Sequence, residues 1–241
     1  QWIDRARIRI LKYEGSVEET GVRLNVVKDE KIIGPIIRQI EQATSIVGSM
    51  LRDFTQLDKP SGKFITVAEY PSFAWREAII NAVAHREYSI YGTDIQVKLF
   101  ENRFEITSPG NFPSLIREYN IKENHFSRNP KIARVLADFG YVQEMGEGVY
   151  RMYQEMQLAE LPEPIFKGLQ VSVCVQLFNN TERRRLKSKV DLIGKIKHSE
   201  FPNLSEDEQN VLLYALENQN RVTTRECVVV IGKTGDTALK I

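Results

Sequence analysis

PSFAWREAIINAVAHREY, residues Pro71 to Tyr88, places apolar side chains at Trp75, Ala78, Ile79, Ala82 and Val83, the spacing of a helix that buries one stripe against a sheet. Pro71 suits the entry to such a helix and Ser72 its cap. Glu77, Asn81 and His85 recur every four residues, so a helix stacks them along one face, each about one turn from the next. A carboxylate, a carboxamide and an imidazole in a row can hold a metal ion and a water beside a phosphate. An ordinary solvated helix face presents the same pattern, and the spacing alone leaves both readings open.

Upstream, Ala6 to Tyr13 alternates as a strand, and Val22 to Val27 is expected to form a second, with a charged turn at Lys28 to Lys31 after it. Between Gly34 and Phe54 the apolar residues Ile36, Ile37, Ile40, Ala43, Val47, Met50, Leu51 and Phe54 mark a long helix. Pro60, Ser61 and Gly62 then form a loop, and Phe64 to Tyr70 reads as a short strand.

Downstream, Ile95, Val97 and Leu99 alternate with Gln96 and Lys98, and Phe104 and Ile106 continue after a turn at Glu101 and Asn102, which makes a β-hairpin. It stops at Ser108, Pro109 and Gly110. Residues 111–129 are polar and irregular, either a lid over a site or a short helix at Leu115 to Tyr119 between plain connections. A helix opens at Pro130 and closes at Gly140, and Gly146, Glu147 and Gly148 lead into another through Val149, Met152 and Met156. Glycines at a helix N-terminus let backbone N–H groups approach a phosphate. Gln170 to Phe178 alternates as a strand.

The whole chain has 241 residues, 42 % hydrophobic and 27 % charged, the balance of a globular protein with room for one large domain or two. A net charge of +1 argues against a uniformly basic, nucleic-acid-coating protein. Cys174 and Cys227 lie far apart in apolar runs, without metal-ligand spacing, which fits buried thiols in a reducing cytoplasm. No apolar run approaches the roughly 18 residues of a membrane span, and no signal peptide opens the chain. Because it begins at Gln1 in mid-pattern, it reads as a piece of a longer protein.

The tail departs from the neutral average. Arg183, Arg184, Arg185, Lys187, Lys189, Lys195 and Lys197 make residues 181–203 a basic linker, either solvated or in contact with nucleic acid. Leu204 to Glu217 carries a capping box, Ser205 with Glu208, ahead of Val211, Leu212, Ala215 and Leu216. A second short element and a turn at Gly232 give residues 204–241 the plan of a helix-turn-helix, with Lys233, Thr234, Thr237 and Lys240 on the helix that would read DNA.

Taken in order, Arg76 to Arg86, Phe104 to Pro113, Arg128-Asn129-Pro130 and Gly146 to Met152 resemble the C-terminal ATPase-like domain of RecG-related, divergent AAA ATPase-like transcriptional regulators, which is similar to the GHKL fold of gyrase, Hsp90, histidine kinases and MutL. That resemblance implies an α+β fold, a GHKL/Bergerat-like mixed sheet covered by helices, over residues 59–180. It also implies that residues 1–58 end a Schlafen AlbA-type domain and that the tail is a truncated winged helix. By the same resemblance Glu77 matches the carboxylate that activates water, Asn81 the magnesium ligand, and His85 or Arg86 a phosphate-contacting cation. Ser108, Gly110, Arg128, Asn129, Gly146 and Gly148 would line the nucleotide, and ATP with Mg²⁺ would be the cofactors. The implied protein is a cytoplasmic DNA-binding regulator that forms a homo-oligomer. Two departures stand out. The adenine-binding aspartate is replaced by Ser108 and the second glycine of its box by Phe112, while no Walker lysine motif supports helicase activity. The resemblance therefore also admits a nucleotide-free module that only dimerises or holds flanking domains together.

Overall fold

The computed structural model describes residues 6–58, 63–113, 115–124, 126–142 and 147–179, together with 208, 211 and 214. Gln1–Asn180 is one compact unit and Thr181–Ile241 another. In the second, Glu208, Val211 and Tyr214 are helical, and Ser205 of the expected capping box lies outside the described residues. The basic linker and Lys233, Thr234, Thr237 and Lys240 lie outside the described residues.

The first unit runs β1 (Ile8–Tyr13), β2 (Val26–Ile32), α1 (Ile36–Met50), β3 (Asp53–Asp58), β4 (Lys63–Ala68), α2 (Ser72–Ala84), β5 (Ile95–Leu99), β6 (Arg103–Pro109), α3 (Pro130–Asp138), α4 (Gly148–Leu158), β7 (Ile165–Gly168) and β8 (Ser172–Phe178). Six strands form one sheet in the order β2-β1-β5-β6-β8-β7, while β3 and β4 pair only with each other. β1 runs parallel to β5, Ile8 opposite Ile95 and Ile10 opposite Val97, and the remaining neighbours are antiparallel. This is the expected mixed sheet covered by helices, a GHKL-like α/β sandwich.

Period-two alternation decides which face the helices cover. Ile8, Ile10, Ile95, Val97, Leu99, Phe104, Ile106 and Leu177 are all buried and pack with α1, α2 and α4 into one core. Each such side chain contributes roughly 1.5–3 kcal/mol on leaving water. The opposite face is polar and bound to itself along and across the strands: within β6 Arg103 Nε donates to Glu105 at 2.6 Å, and from β8 Gln176 Nε2 donates to the same carboxylate at 2.6 Å. Tyr13 and Phe100 stack there at 4.8 Å between ring centroids.

Several boundaries differ from those expected. The charged run Lys28 to Lys31, anticipated as a turn, belongs to β2, an edge strand whose exposed sides tolerate charge. Val22 sits instead in a short 3₁₀ turn, Gly21–Arg23. α1 ends at Met50 and Phe54 lies in β3, because Leu51 is extended and Arg52 pairs with the buried Glu69 at the far end of β4. Ser72 makes no capping bond. β1 and β2 also share a sheet with β5, β6 and β8, so the boundary anticipated near residue 58 falls within a single compact unit. Among the described residues, no helix is long and apolar enough to cross a membrane.

Candidate functional site

α2 is buried nearly all round: Ala74, Trp75, Ala78, Ile79, Ile80, Ala82, Val83 and Ala84 are inaccessible. It lies against β6 on one side and between α1 and α4 on others. Glu77, Asn81 and His85 are half-buried and share the wall of one cavity of about 680 Å³. The row of polar groups therefore looks into a half-open cavity and not onto a plain solvated face. Its volume suits a nucleotide-sized ligand. Ile106, Phe112, Ile116, Phe166, Val173 and Val175 supply apolar walls, drawn from the sheet and from residues 111–124.

Asn81 Nδ2 donates to Glu77 Oε1 at 3.1 Å, which leaves the Asn81 carbonyl oxygen directed elsewhere. Gly148, the first residue of α4, closes on the same carboxylate: a Cβ there would stand 1.8 Å from Glu77 Oε1. Only glycine admits this approach of helix to carboxylate. Burial raises the Glu77 pKa, opposed by the bond from Asn81 and the charge of Arg151. Arg151, one turn into α4, also lines the cavity and lies 4.1 Å over the Phe73 ring. Its position three residues after Gly148 is the sequence signal that could have singled it out.

The C-terminus of α2 is buried, so its orphan carbonyls need partners from elsewhere. His85 N–H takes Asn81 O at 2.9 Å, the Ser108 hydroxyl donates to Ala82 O at 2.6 Å, and Tyr88 Oη donates to Val83 O at 3.1 Å. Asn129 Nδ2 serves Ala84 O at 2.9 Å and Arg86 O at 2.8 Å. Ser108 lines the cavity with its hydrogen already committed to a carbonyl, a duty that an ionised aspartate, having no hydrogen to give, cannot perform. Asn129 is held out of the cavity wall by the same capping work, at the entry to α3.

Gly110 follows β6 with φ of +112°, and a Cβ there would meet Arg128 Nη1 at 1.9 Å and Glu87 Cβ at 2.7 Å. The missing side chain lets the Arg128 guanidinium lie over the backbone at the cavity wall, where it also donates to Asn111 O. Arg86, anticipated beside His85 as a phosphate contact, is 0 % exposed and does not line the cavity. Its Nη1 donates to Glu87 O at 2.9 Å and its Nη2 to Ile90 O at 2.9 Å and Thr93 O at 2.8 Å, so it cages the loop after α2. The fork suits this work, satisfying several carbonyls with one planar cation. Gly146 lies outside the described residues.

The described residues among 111–129 make turns, and Leu115 to Tyr119 is not the alternative helix, with Ile116 N–H on Pro113 O at 2.9 Å and Asn120 N–H on Arg117 O at 3.1 Å. Ile116 is buried, and Glu118 Oε1 accepts from Gly168 N–H at 2.6 Å. Among the described residues no group of three or more His, Cys, Asp or Glu could hold a metal unaided. The hard oxygens of Asn81 and Glu77 fit Mg²⁺, which takes one or two protein oxygens and fills its shell from phosphates and water.

A nucleotide-sized cavity roofed by a glycine-opened helix and walled by a polar row on a buried helix defines an ATPase-like domain, and comparison with known proteins agrees. Residues 92–177, which reach from just before β5 to the end of β8, match the family model "Putative ATP-dependent DNA helicase recG C-terminal". Glu77, Asn81 and His85 lie ahead of the matched span. Among solved structures, the chain is similar to the DIP2311 protein from Corynebacterium diphtheriae, with a TM-score of 0.66 and 21 % identity over 99 % of this chain and 46 % of that one. At that identity the likeness speaks for the fold, and the chain spans less than half of that protein's length. No curated protein matches the chain.

Proposed function

We propose that the cavity binds ATP with Mg²⁺, and that the chain is the nucleotide-binding part of a cytoplasmic, homo-oligomeric DNA-binding regulator. The observation that carries this reading is the convergence of Glu77, Asn81 and His85 with Ser108, Gly110, Arg128 and Gly148 around one cavity. Residues separated by more than 70 positions meet there at a helix start opened by glycine, where N–H groups favour phosphate. Asn81 offers a carbonyl oxygen to the metal, and Mg²⁺ would supply charge neutralisation between phosphates. Glu77 accepts the proton of an attacking water; its raised pKa makes it the better base. Arg128, His85 and Arg151 give cationic or N–H donors at the cavity wall, and Gly146 would extend the cradle beside Gly148. Arg86 and Asn129 act one layer out, by fixing the end of α2 and the loop that follows. Residues 111–129 would form the lid. Contact with DNA would come from Lys233, Thr234, Thr237 and Lys240 and from the basic linker.

A second reading has its own support. Glu77 is already engaged by Asn81 and packed on Gly148, and Ser108 is engaged by Ala82, as in a scaffold that no longer uses nucleotide. Calorimetric titration of the whole chain with a non-hydrolysable ATP analogue and Mg²⁺ separates the two. Saturable binding that weakens in Asn81→Ala is expected. No heat up to millimolar nucleotide would favour the scaffold.

A further inference from the structure

Among the described residues two serines line the cavity, Ser108 and Ser127, and their hydroxyls stand differently. The Ser108 hydrogen is committed to Ala82 O at 2.6 Å. Ser127 Oγ is buried and has no hydrogen-bond partner among the described residues. A buried hydroxyl left unpaired costs stability, and in a native protein such a group calls for a reason. Looseness of the chain is not the reason here. Asn129 Nδ2 ties the segment to Ala84 O and Arg86 O, Arg128 lies over Gly110 and donates to Asn111 O, and Pro130 opens α3. Ser127 is thus carried on a stretch fastened to the end of α2 on one side and to the end of β6 on the other. What remains free is rotation about χ1: with no bond to break, the hydroxyl can turn from its buried position to the cavity wall that the rest of the residue lines.

We propose that Ser127 is a binding residue of the cavity, its hydroxyl donating to a ribose hydroxyl of the nucleotide beside the Arg128 guanidinium. This rests on the nucleotide reading of the cavity given above and assigns one more contact within it. Place decides which part of the ligand is met. Glu77 and His85 are eight residues apart along α2, so the polar row is about 12 Å long. Gly148 and the start of α4 stand at the Glu77 end. Arg128 and Ser127 belong to the opposite end, by Gly110 and the last carbonyls of α2. With the phosphates beside Gly148, the nucleoside reaches that far end. Chemistry then separates sugar from base. The Arg128 fork and the Ser127 hydroxyl are neighbouring donors, and a ribose hydroxyl oxygen has two lone pairs to accept from both, where a ring nitrogen of adenine has one. Ser108, its hydrogen spent on Ala82 O, has only lone pairs to offer and cannot take this part.

Calorimetric titration of the whole chain with the β,γ-imido analogue of ATP and Mg²⁺, and with its 2′-deoxy and 3′-deoxy forms, tests this together with thermal melting in the absence of nucleotide. Ser127→Ala is expected to weaken binding of the ribose form by about 3–10-fold, the worth of one net hydrogen bond, and to leave unchanged the binding of the deoxy form that lacks the contacted hydroxyl. Its melting temperature without nucleotide should equal or exceed the parent's, since the substitution breaks no bond in the folded chain. Ser127→Thr, which keeps a hydroxyl, should bind as the parent does. An unchanged affinity in Ser127→Ala, or an equal loss for all three nucleotides, overturns the proposal while leaving the cavity a nucleotide site. A lower melting temperature of Ser127→Ala without nucleotide would show that the hydroxyl already has a structural duty, and overturns it too. A parent that takes up none of the three overturns the nucleotide reading as well.

Discussion

Replacing Gly148 by alanine places a methyl group 1.8 Å from Glu77 Oε1 and 2.7 Å from its Cδ, where van der Waals contact needs nearly twice the shorter distance. Either the carboxylate leaves Asn81 or α4 moves off α2, and overpacking of this kind costs about 1–3 kcal/mol. Gly148 has no left-handed φ, so without the clash alanine is favourable there by roughly 0.4–1 kcal/mol through the unfolded chain. The sign of Gly148→Ala should then depend on residue 77: destabilising in the parent, neutral or stabilising in Glu77→Ala. The coupling is the overpacking cost itself, roughly 1–3 kcal/mol, because the gain through the unfolded chain is common to both backgrounds and cancels. Urea unfolding of the parent, the two single variants and the double variant measures it, and each kcal/mol moves the melting temperature by about 2–4 °C in a unit of this size. A coupling below about 0.5 kcal/mol would refute the close contact of Gly148 with Glu77, and with it the placing of the α4 N-terminus over the polar row.

Glu77→Gln removes a carboxylate whose pKa burial raises. A raised carboxyl favours the folded state below its unfolded pKa of about 4.3, and this contribution is lost as pH rises through the folded value, so the variant should melt higher than the parent at neutral pH and equal to it near pH 4; equal melting at neutral pH would count against the burial. Ser108→Asp should not simply restore an adenine-binding acid: an ionised carboxylate would face Ala82 O, now 2.6 Å from the serine hydroxyl, and the loss of stability should be about 1–3 kcal/mol by denaturant unfolding. Arg86→Lys keeps the charge but loses the fork that serves Glu87, Ile90 and Thr93 carbonyls, and scanning calorimetry should show a fall of roughly 6–20 °C, from about 3–5 kcal/mol. A fall of under about 2 °C would mean that the loop does not depend on this cage.

Local pattern was enough for the elements on which the site is mounted. Alternation at Ile95, Val97, Leu99, Phe104 and Ile106 names β5 and β6, because a strand with one buried face must alternate. The period of Trp75, Ala78, Ile79, Ala82 and Val83 names α2, and the four-residue spacing of Glu77, Asn81 and His85 already sets them on one side of it. Pattern fails where environment overrides propensity. Lys28 to Lys31 look like a turn until β1 is seen to pair with them at the edge of the sheet, and β3 exists because Arg52 and Glu69 hold the ends of a ribbon together.

What a buried polar residue does was decided by tertiary structure alone. Sequence sets Arg86 next to His85 and makes the two look alike as phosphate contacts, but one faces the cavity while the other is surrounded by loop carbonyls. Ser108 reads as a lost aspartate until Ala82 O is found waiting for its hydrogen, and Asn129 reads as a ligand until the end of α2 is seen to need a donor. The reason is that a helix terminus carries orphan carbonyls whatever its sequence, and only the packed chain shows whether water or a distant side chain will satisfy them.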